Sequence, residues 1–196
     1  MVKLLYIDCC IRRDQSRTRI LAEAVLAALQ AKEAYQVERV CLMDEPLLPL
    51  SEGFFAQRER LLAEHNHSHP RFRYAHQFSQ ADRVIVAAPF WDLSFPALLK
   101  LYIENVTVEG ISFGVDEHGT HGLCKAERLL YLTTRGGDYH NSKLEMGARY
   151  LEALCQFWGI PRFDVVAADG LDLGREEVKT ILDRAIEEAL RLVENF

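Results

Sequence analysis

The feature that most constrains this chain is a short run, Arg83-Val84-Ile85-Val86-Ala87-Ala88, apolar after its first residue and stopped by Pro89. A strand with one wet face alternates polar and apolar residues. A strand apolar throughout is buried on both faces, which is the condition of a parallel sheet with helices above and below it. Parallel strands need crossovers, and the chain supplies them. Val2–Ile7, Val37–Leu42, Arg128–Thr133 and Phe163–Ala168 are further strand-like runs. Between them, apolar residues recur at helical spacing: Ile20, Leu21, Ala24, Val25, Ala28 and Leu29, then Leu98, Leu99, Tyr102, Ile103 and Val106. Phe54–Glu64, Arg71–Gln80, Leu144–Trp158 and Glu176–Val193 read as helices too, the third closed by Gly159 with Pro161 beyond. Glu109–Cys124 reads as an irregular stretch. Five strands alternating with helices predict an α/β fold, a doubly wound five-stranded parallel sheet in which residues 1–196 form a single domain.

Composition narrows the class. A formal net charge of -6 gives no basic excess for a nucleic-acid partner, so none is expected. No apolar run approaches the roughly 20 residues of a membrane span, and no signal-peptide pattern opens the sequence. The cysteines are Cys9, Cys10, Cys41, Cys124 and Cys155, an odd number without CxxC spacing, as in a reduced cytoplasmic protein.

In open α/β sheets, ligands bind beyond the carboxyl ends of the strands. That rule nominates three loops. Cys9–Thr18 runs from a strand into a helix starting near Ser16, where backbone N–H groups and the helix dipole favour an anion. Arg12, Arg13, Arg17 and Arg19 raise the local positive potential, although Ser16 would serve equally as an ordinary helix cap. A thiol-phosphatase cradle needs Cys and Arg at a fixed spacing. Counting on from Cys9 or Cys10 reaches Gln15 or Ser16, with Arg17 one place too late, so that mechanism is rejected. No GxGxxG or GxxxxGK[ST] is present. The second loop, Pro89–Pro96, carries Phe90, Trp91 and Phe95, which would line a planar ring or pack on the next helix. The third, Thr133–His140, holds Gly136 and Gly137, which let backbone approach a ligand or make a plain turn. All three fall at one edge of the expected sheet.

With these loops in place, the chain resembles the FMN-dependent NADH-azoreductases, which belong with the flavodoxin-like NAD(P)H:quinone oxidoreductases. The resemblance covers nearly the whole length. It is strongest in Ala87-Ala88-Pro89-Phe90-Trp91-Asp92-Leu93, Leu99-Lys100-Leu101-Tyr102, Gly110-Ile111-Ser112-Phe113, Gly122-Leu123 and Thr134-Arg135-Gly136-Gly137. It implies strand order 2-1-3-4-5, a homodimer and bound FMN. It places Cys10, Ser16, Arg17 and Thr18 at the phosphate, Phe90, Trp91, Asp92 and Leu93 along the isoalloxazine, and Thr134, Arg135, Gly136 and Gly137 at its pyrimidine end. Three departures stand out. Cys10 replaces a serine, exchanging a hydroxyl for a weak thiol donor. Asp92 replaces an asparagine, and a carboxylate beside the flavin would lower its potential unless it faced solvent or was paired. The stretch after Phe113 lacks the family's aromatic and Gly-Pro pattern.

The resemblance implies ping-pong hydride transfer from NADH or NADPH through flavin N5 to a quinone or azo compound. The cofactor carries that chemistry, so no strict catalytic side chain is nominated, and Arg135 with the Gly136–Gly137 amides is the candidate for tuning the reduced flavin. A flavodoxin-fold electron carrier, or an interaction protein without cofactor, remains the alternative. His65, His67 and His69 share one face if extended, but a solvated loop is expected rather than a metal site. His118, His121 and His140 are placed on the surface, and Cys9 and Cys10 are expected to be inert.

Overall fold

In the computed structural model, which describes residues 1–32, 34–194 and 196, the apolar run after Arg83 is the middle strand of a five-stranded parallel sheet. The elements in chain order are β1 (Val2–Asp8), α1 (Arg17–Gln30), β2 (Tyr35–Cys41), α2 (Glu52–Ala63), α3 (Arg73–Gln80), β3 (Arg83–Ala87) and α4 (Ala97–Val106). They continue as β4 (Phe113–Asp116), β5 (Gly119–Gly122), β6 (Arg128–Thr134), α5 (Gly147–Trp158), β7 (Phe163–Ala168) and α6 (Val178–Val193). The sheet order is β2-β1-β3-β6-β7, which is 2-1-3-4-5 once the separate β4–β5 pair is set aside. β1 pairs in register with both β2 and β3, bringing Asp8 opposite Cys41 and Ala87 at the carboxyl edge.

Alternation along the buried strands divides the interior into two layers, because successive side chains leave a strand on opposite faces. Leu4, Tyr6, Ile85, Ala87, Leu130 and Leu132 face α1 and α6, and meet Leu21, Val25, Leu29, Leu182 and Ala185. Leu5, Ile7, Val84, Val86, Leu129 and Tyr131 face the other way, toward Phe78 of α3, Tyr102 of α4 and Trp158 of α5. Phe78 and Trp158 meet edge to face at 4.6 Å between ring centroids, a favoured aromatic geometry. A smaller cluster of Leu61, Phe72, Ala75, Val108 and Ile111 seats α2.

The Glu109–Cys124 stretch departs from expectation. It contains the antiparallel hairpin β4–β5, pairing Phe113 with Gly122 and Asp116 with Gly119. Its strands are too short and polar to show periodicity. The hairpin is held by backbone contact. A Cβ on Gly122 would lie 2.0 Å from both Gly159 N and Trp158 C, so only glycine allows the crossing. Gly159 ends α5 in the left-handed conformation, at φ 79°. α5 starts at Gly147 rather than Leu144, leaving Leu144 and Met146 exposed. α6 starts at Val178 rather than Glu176, and the Arg71 segment opens with a short 3-10 turn over Pro70–Phe72.

Candidate functional site

The three nominated loops converge at the carboxyl edge of the sheet. They line a cleft of about 130 Å³ with Arg12, Ser16, Arg17, Thr18, Pro89, Phe90, Trp91, Thr134, Arg135, Gly136, Leu171 and Asp172. Larger hollows lie elsewhere, one of about 510 Å³ beside Lys3, Gln36 and His76 at the opposite end of the strands. The smaller cleft commands interest because it sits where open α/β sheets bind ligands and collects donors of one kind.

Its floor is the start of α1. Ser16 has extended backbone, and its Oγ accepts from Arg19 N at 3.3 Å, so it caps the helix. That bond uses Oγ as an acceptor and leaves the hydroxyl hydrogen for a ligand. The amides of Arg17 and Thr18 fall in the first turn, where no intrahelical acceptor exists. Thr18 Oγ1 and Thr134 Oγ1, both buried, lie 2.6 Å apart and tie α1 to the end of β6. One of the two hydroxyl hydrogens makes that bond, and the other is left over. Two hydroxyls and two free amides at a helix N-terminus form an anion cradle.

The arginines of the first loop contribute less charge than their number suggests. Arg13 pairs with Asp44 at 2.6 Å, Arg17 with Asp172 at 2.7 Å, and Arg19 with Asp8 at 3.1 Å and Asp14 at 3.0 Å. Arg13 holds the Asp44 carboxyl down to about 2 through a hydrogen bond and its charge. Among the described residues of this loop, Arg12 is the arginine left without a carboxylate partner. It lines the cleft and was counted in the sequence only as background charge.

The glycines of the third loop are already in use by the chain. A Cβ on Gly136 would stand 2.4 Å from Asp172 Oδ2, and one on Gly137 would stand 2.9 Å from the Tyr139 ring. The loop is laced to the segment after β7, with Gly170 N donating to Gly137 O, Leu171 N to Arg135 O and Asp172 N to Gly136 O. Arg135 is the strut beneath it. Its guanidinium is 95% withdrawn from solvent, 3.2 Å from Glu145 Oε1 and 3.3 Å from Asp169 Oδ1. Glu145 in turn accepts from Ala148 N, capping α5. Arg135 thus joins the ends of β6 and β7 to the start of α5, and its charge is matched by two carboxylates rather than offered to a ligand. Only Nε lacks a partner.

The second loop is a two-residue turn. Trp91 and Ser94 exchange backbone hydrogen bonds at 3.1 and 2.8 Å, with Asp92 at φ 50° and Leu93 at φ 66°. Both central residues are left-handed, the geometry of a type I′ turn that Asn-Gly normally fills. The turn holds Trp91, 43% exposed, at the rim of the cleft. Asp92 lies exposed at its tip and outside the cleft lining.

Of the residues named from sequence, Ser16, Arg17, Thr18, Phe90, Trp91, Thr134, Arg135 and Gly136 line the cleft, whereas Cys10, Asp92, Leu93 and Gly137 do not. Cys10 is fully buried between the sheet and α1, and its Sγ donates to Ala87 O at 3.7 Å. Burial, reinforced by Asp8, pushes its thiol up from the ordinary value. Leu171 and Asp172 were missed because they follow β7, a strand end that carries no glycine pair or aromatic cluster to mark it. The histidines lie elsewhere. His67 packs on Gly110, His69 Nδ1 accepts from Arg71 N, and His121 stands 3.3 Å from Asp116 on the hairpin. Among the described residues no group of His, Cys, Asp or Glu is arranged to hold a metal, and no helix is long and apolar enough to cross a membrane.

A parallel sheet in this order, with an anion cradle where β1 and β3 diverge, defines a flavodoxin-like domain. Comparison with known proteins agrees. The flavodoxin-like fold family matches residues 2–193. An FMN-dependent NADH:quinone oxidoreductase of Clostridium perfringens (strain SM101) is 41% identical over 198 residues, covering all of both chains. One from Caldicellulosiruptor saccharolyticus is 34% identical over 203 residues with the same full coverage. The crystal structure of an azoreductase from Bacillus anthracis superposes with a TM-score of 0.89 at 25% identity, covering 100% of each chain. The chain belongs to this family, that of the flavodoxin-like FMN-dependent NADH:quinone oxidoreductases and azoreductases.

Proposed function

We propose that residues 1–196 act as one FMN-binding domain. The domain is an NAD(P)H oxidoreductase that reduces quinones or azo compounds by ping-pong hydride transfer through flavin N5. The observation that carries this reading is the anion cradle at α1, in a chain of this family. Bound FMN supplies the two-electron chemistry. The protein's part is to hold and orient it. Ser16, Thr18 and the amides of Arg17 and Thr18 receive the phosphate, and Arg12 adds an unspent positive charge. Thr134, through its bond to Thr18, keeps the cradle in register with the third loop. Phe90 and Trp91 supply an apolar wall. Arg135 acts as a positioning residue, fixing the Gly136 loop from below.

Whole cofactor sites span several hundred Å³. The cleft of about 130 Å³ therefore suits the phosphate end, leaving the planar end to the open flank beside Trp91. Trp91, Leu93, Leu144 and Met146 are all exposed on that flank, and Met146 N donates to Leu93 O. A second copy of the chain closing over this apolar rim is the homodimer we propose. The free cysteines, buried or half-buried, suit a reducing compartment such as the cytoplasm.

The test is direct. Protein saturated with FMN is freed of excess by gel filtration, and its visible spectrum is recorded before and after NADH. Retained flavin bleached by NADH and restored by a quinone is the expected result. Colourless protein refutes the cofactor assignment, and retained flavin that NADH leaves untouched makes the chain an electron carrier instead.

A further inference from the structure

Asp172 occupies an unexpected place in an anion-binding cleft. Its carboxylate comes from the segment after β7 and reaches the first residue of α1, putting Oδ1 2.7 Å from the Arg17 guanidinium. Oδ2 lies flat against Gly136, in the space a Cβ there would fill. The segment that carries it has left-handed glycines at both ends, Gly170 at φ 78° and Gly174 at φ 66°. A carboxylate bonded to an arginine at a helix N-terminus, lining one cleft with Ser16 and Thr18, is the kind of group that site attracts.

We propose that Asp172 is a built-in competitor for the flavin's phosphate. Its carboxylate takes the place at Arg17 that a phosphate dianion would take, and it sets how tightly FMN is held against flavins without phosphate. This inference rests on the FMN reading above. Asp172 already engages Arg17 through Nη1 and neutralises much of its charge, so a phosphate at the same guanidinium meets the carboxylate's repulsion and gains the full charge only as Asp172 turns away. The carboxylate is 66% exposed and can swing to water, which keeps the competition modest: exposed ion pairs contribute about 0–1 kcal/mol. Riboflavin has no phosphate and meets no such competition.

The experiment compares wild type with Asp172→Asn, which keeps the shape and removes the charge. Flavin fluorescence titrations give dissociation constants for FMN and for riboflavin at low and high salt. The expected result is a roughly three- to fivefold gain in FMN affinity at low salt, shrinking at high salt where surface charges are screened. Riboflavin affinity stays within about twofold. FMN affinity unchanged or weakened in the variant overturns the proposal, since Asp172 would then be a support for Arg17 or a contact to the cofactor. Equal changes for FMN and riboflavin overturn it as well. If wild type binds no FMN at all, the cofactor reading fails and takes this inference with it. If wild type binds and the variant gains nothing, only this inference fails.

Discussion

Replacing Arg135 with methionine removes the strut under the third loop and tests whether that arginine serves the fold or the cofactor. The side chain is 95% withdrawn from solvent and lies within 3.3 Å of both Glu145 and Asp169. Removing one partner of a buried ion pair costs about 3–5 kcal/mol, because the remaining charge stays buried. Two features reduce that figure. Glu145 keeps its bonds to Ala148 N at the start of α5, where the helix dipole favours an anion. The Asp169 side chain, 18% exposed, can turn toward water. A loss of about 2–4 kcal/mol follows, which for a domain of this size lowers Tm by roughly 5–15 °C. Urea unfolding followed by tryptophan fluorescence and far-UV circular dichroism measures it. Adding Glu145→Gln to Arg135→Met should recover part of the loss, since the charge left unpaired is then removed. An Arg135→Met variant within about 1 kcal/mol of wild type would falsify the strut assignment. If such a stable variant had also lost FMN affinity or turnover, the guanidinium would be acting on the cofactor directly.

Two further outcomes follow from local geometry. Asp92→Asn with Leu93→Gly supplies the sequence that the left-handed turn prefers and should raise stability by about 1 kcal/mol. A lower Tm in that double variant would show that the Leu93 side chain, not backbone strain, dominates. The thiols of Cys9, Cys124 and Cys155 are pushed up from 9.0 to about 12 by burial. The folded state therefore keeps protons that the unfolded chain loses. Their contribution is complete below about pH 9 and is lost as pH rises through about 12. The urea midpoint should fall steadily across that window, and iodoacetamide near neutral pH should leave the native thiols unmodified. A flat midpoint, or rapid alkylation, contradicts their burial.

The centre of the sheet was legible because its three middle strands are buried on both faces. Val84-Ile85-Val86 has no polar alternative, and β1 and β6 share that character, so burial and sequence pattern coincide. Strand order came through the family resemblance, not the pattern. The hairpin stayed hidden because Phe-Gly-Val-Asp and Gly-Thr-His-Gly carry no periodic signal, and tertiary contact with α5 holds them. The cleft was legible where helix-start chemistry or aromatic clustering marked a loop. It was illegible where function depends on pairing. Nothing in the sequence says that Arg13, Arg17 and Arg19 are neutralised by Asp44, Asp172 and Asp8, or that Arg12 is left over. Nor does it say that Cys10, one residue from the loop's bend, turns inward while Ser16 stays at the cleft.

The crossing of Gly122 over Gly159 has a mechanical consequence. Leu123 N closes the hairpin by donating to Ser112 O, and Cys124 N, just past the crossing, donates to Trp158 O, so the hairpin is riveted to the end of α5. Trp158, the side chain next to the rivet, is anchored in the interior against Phe78. The hairpin therefore cannot swing as an independent flap. Any displacement must drag α5 with it, and the first turn of α5 is capped by Glu145, which pairs with Arg135. Force applied at the hairpin's tip would reach the third loop of the cleft through α5, Glu145 and Arg135.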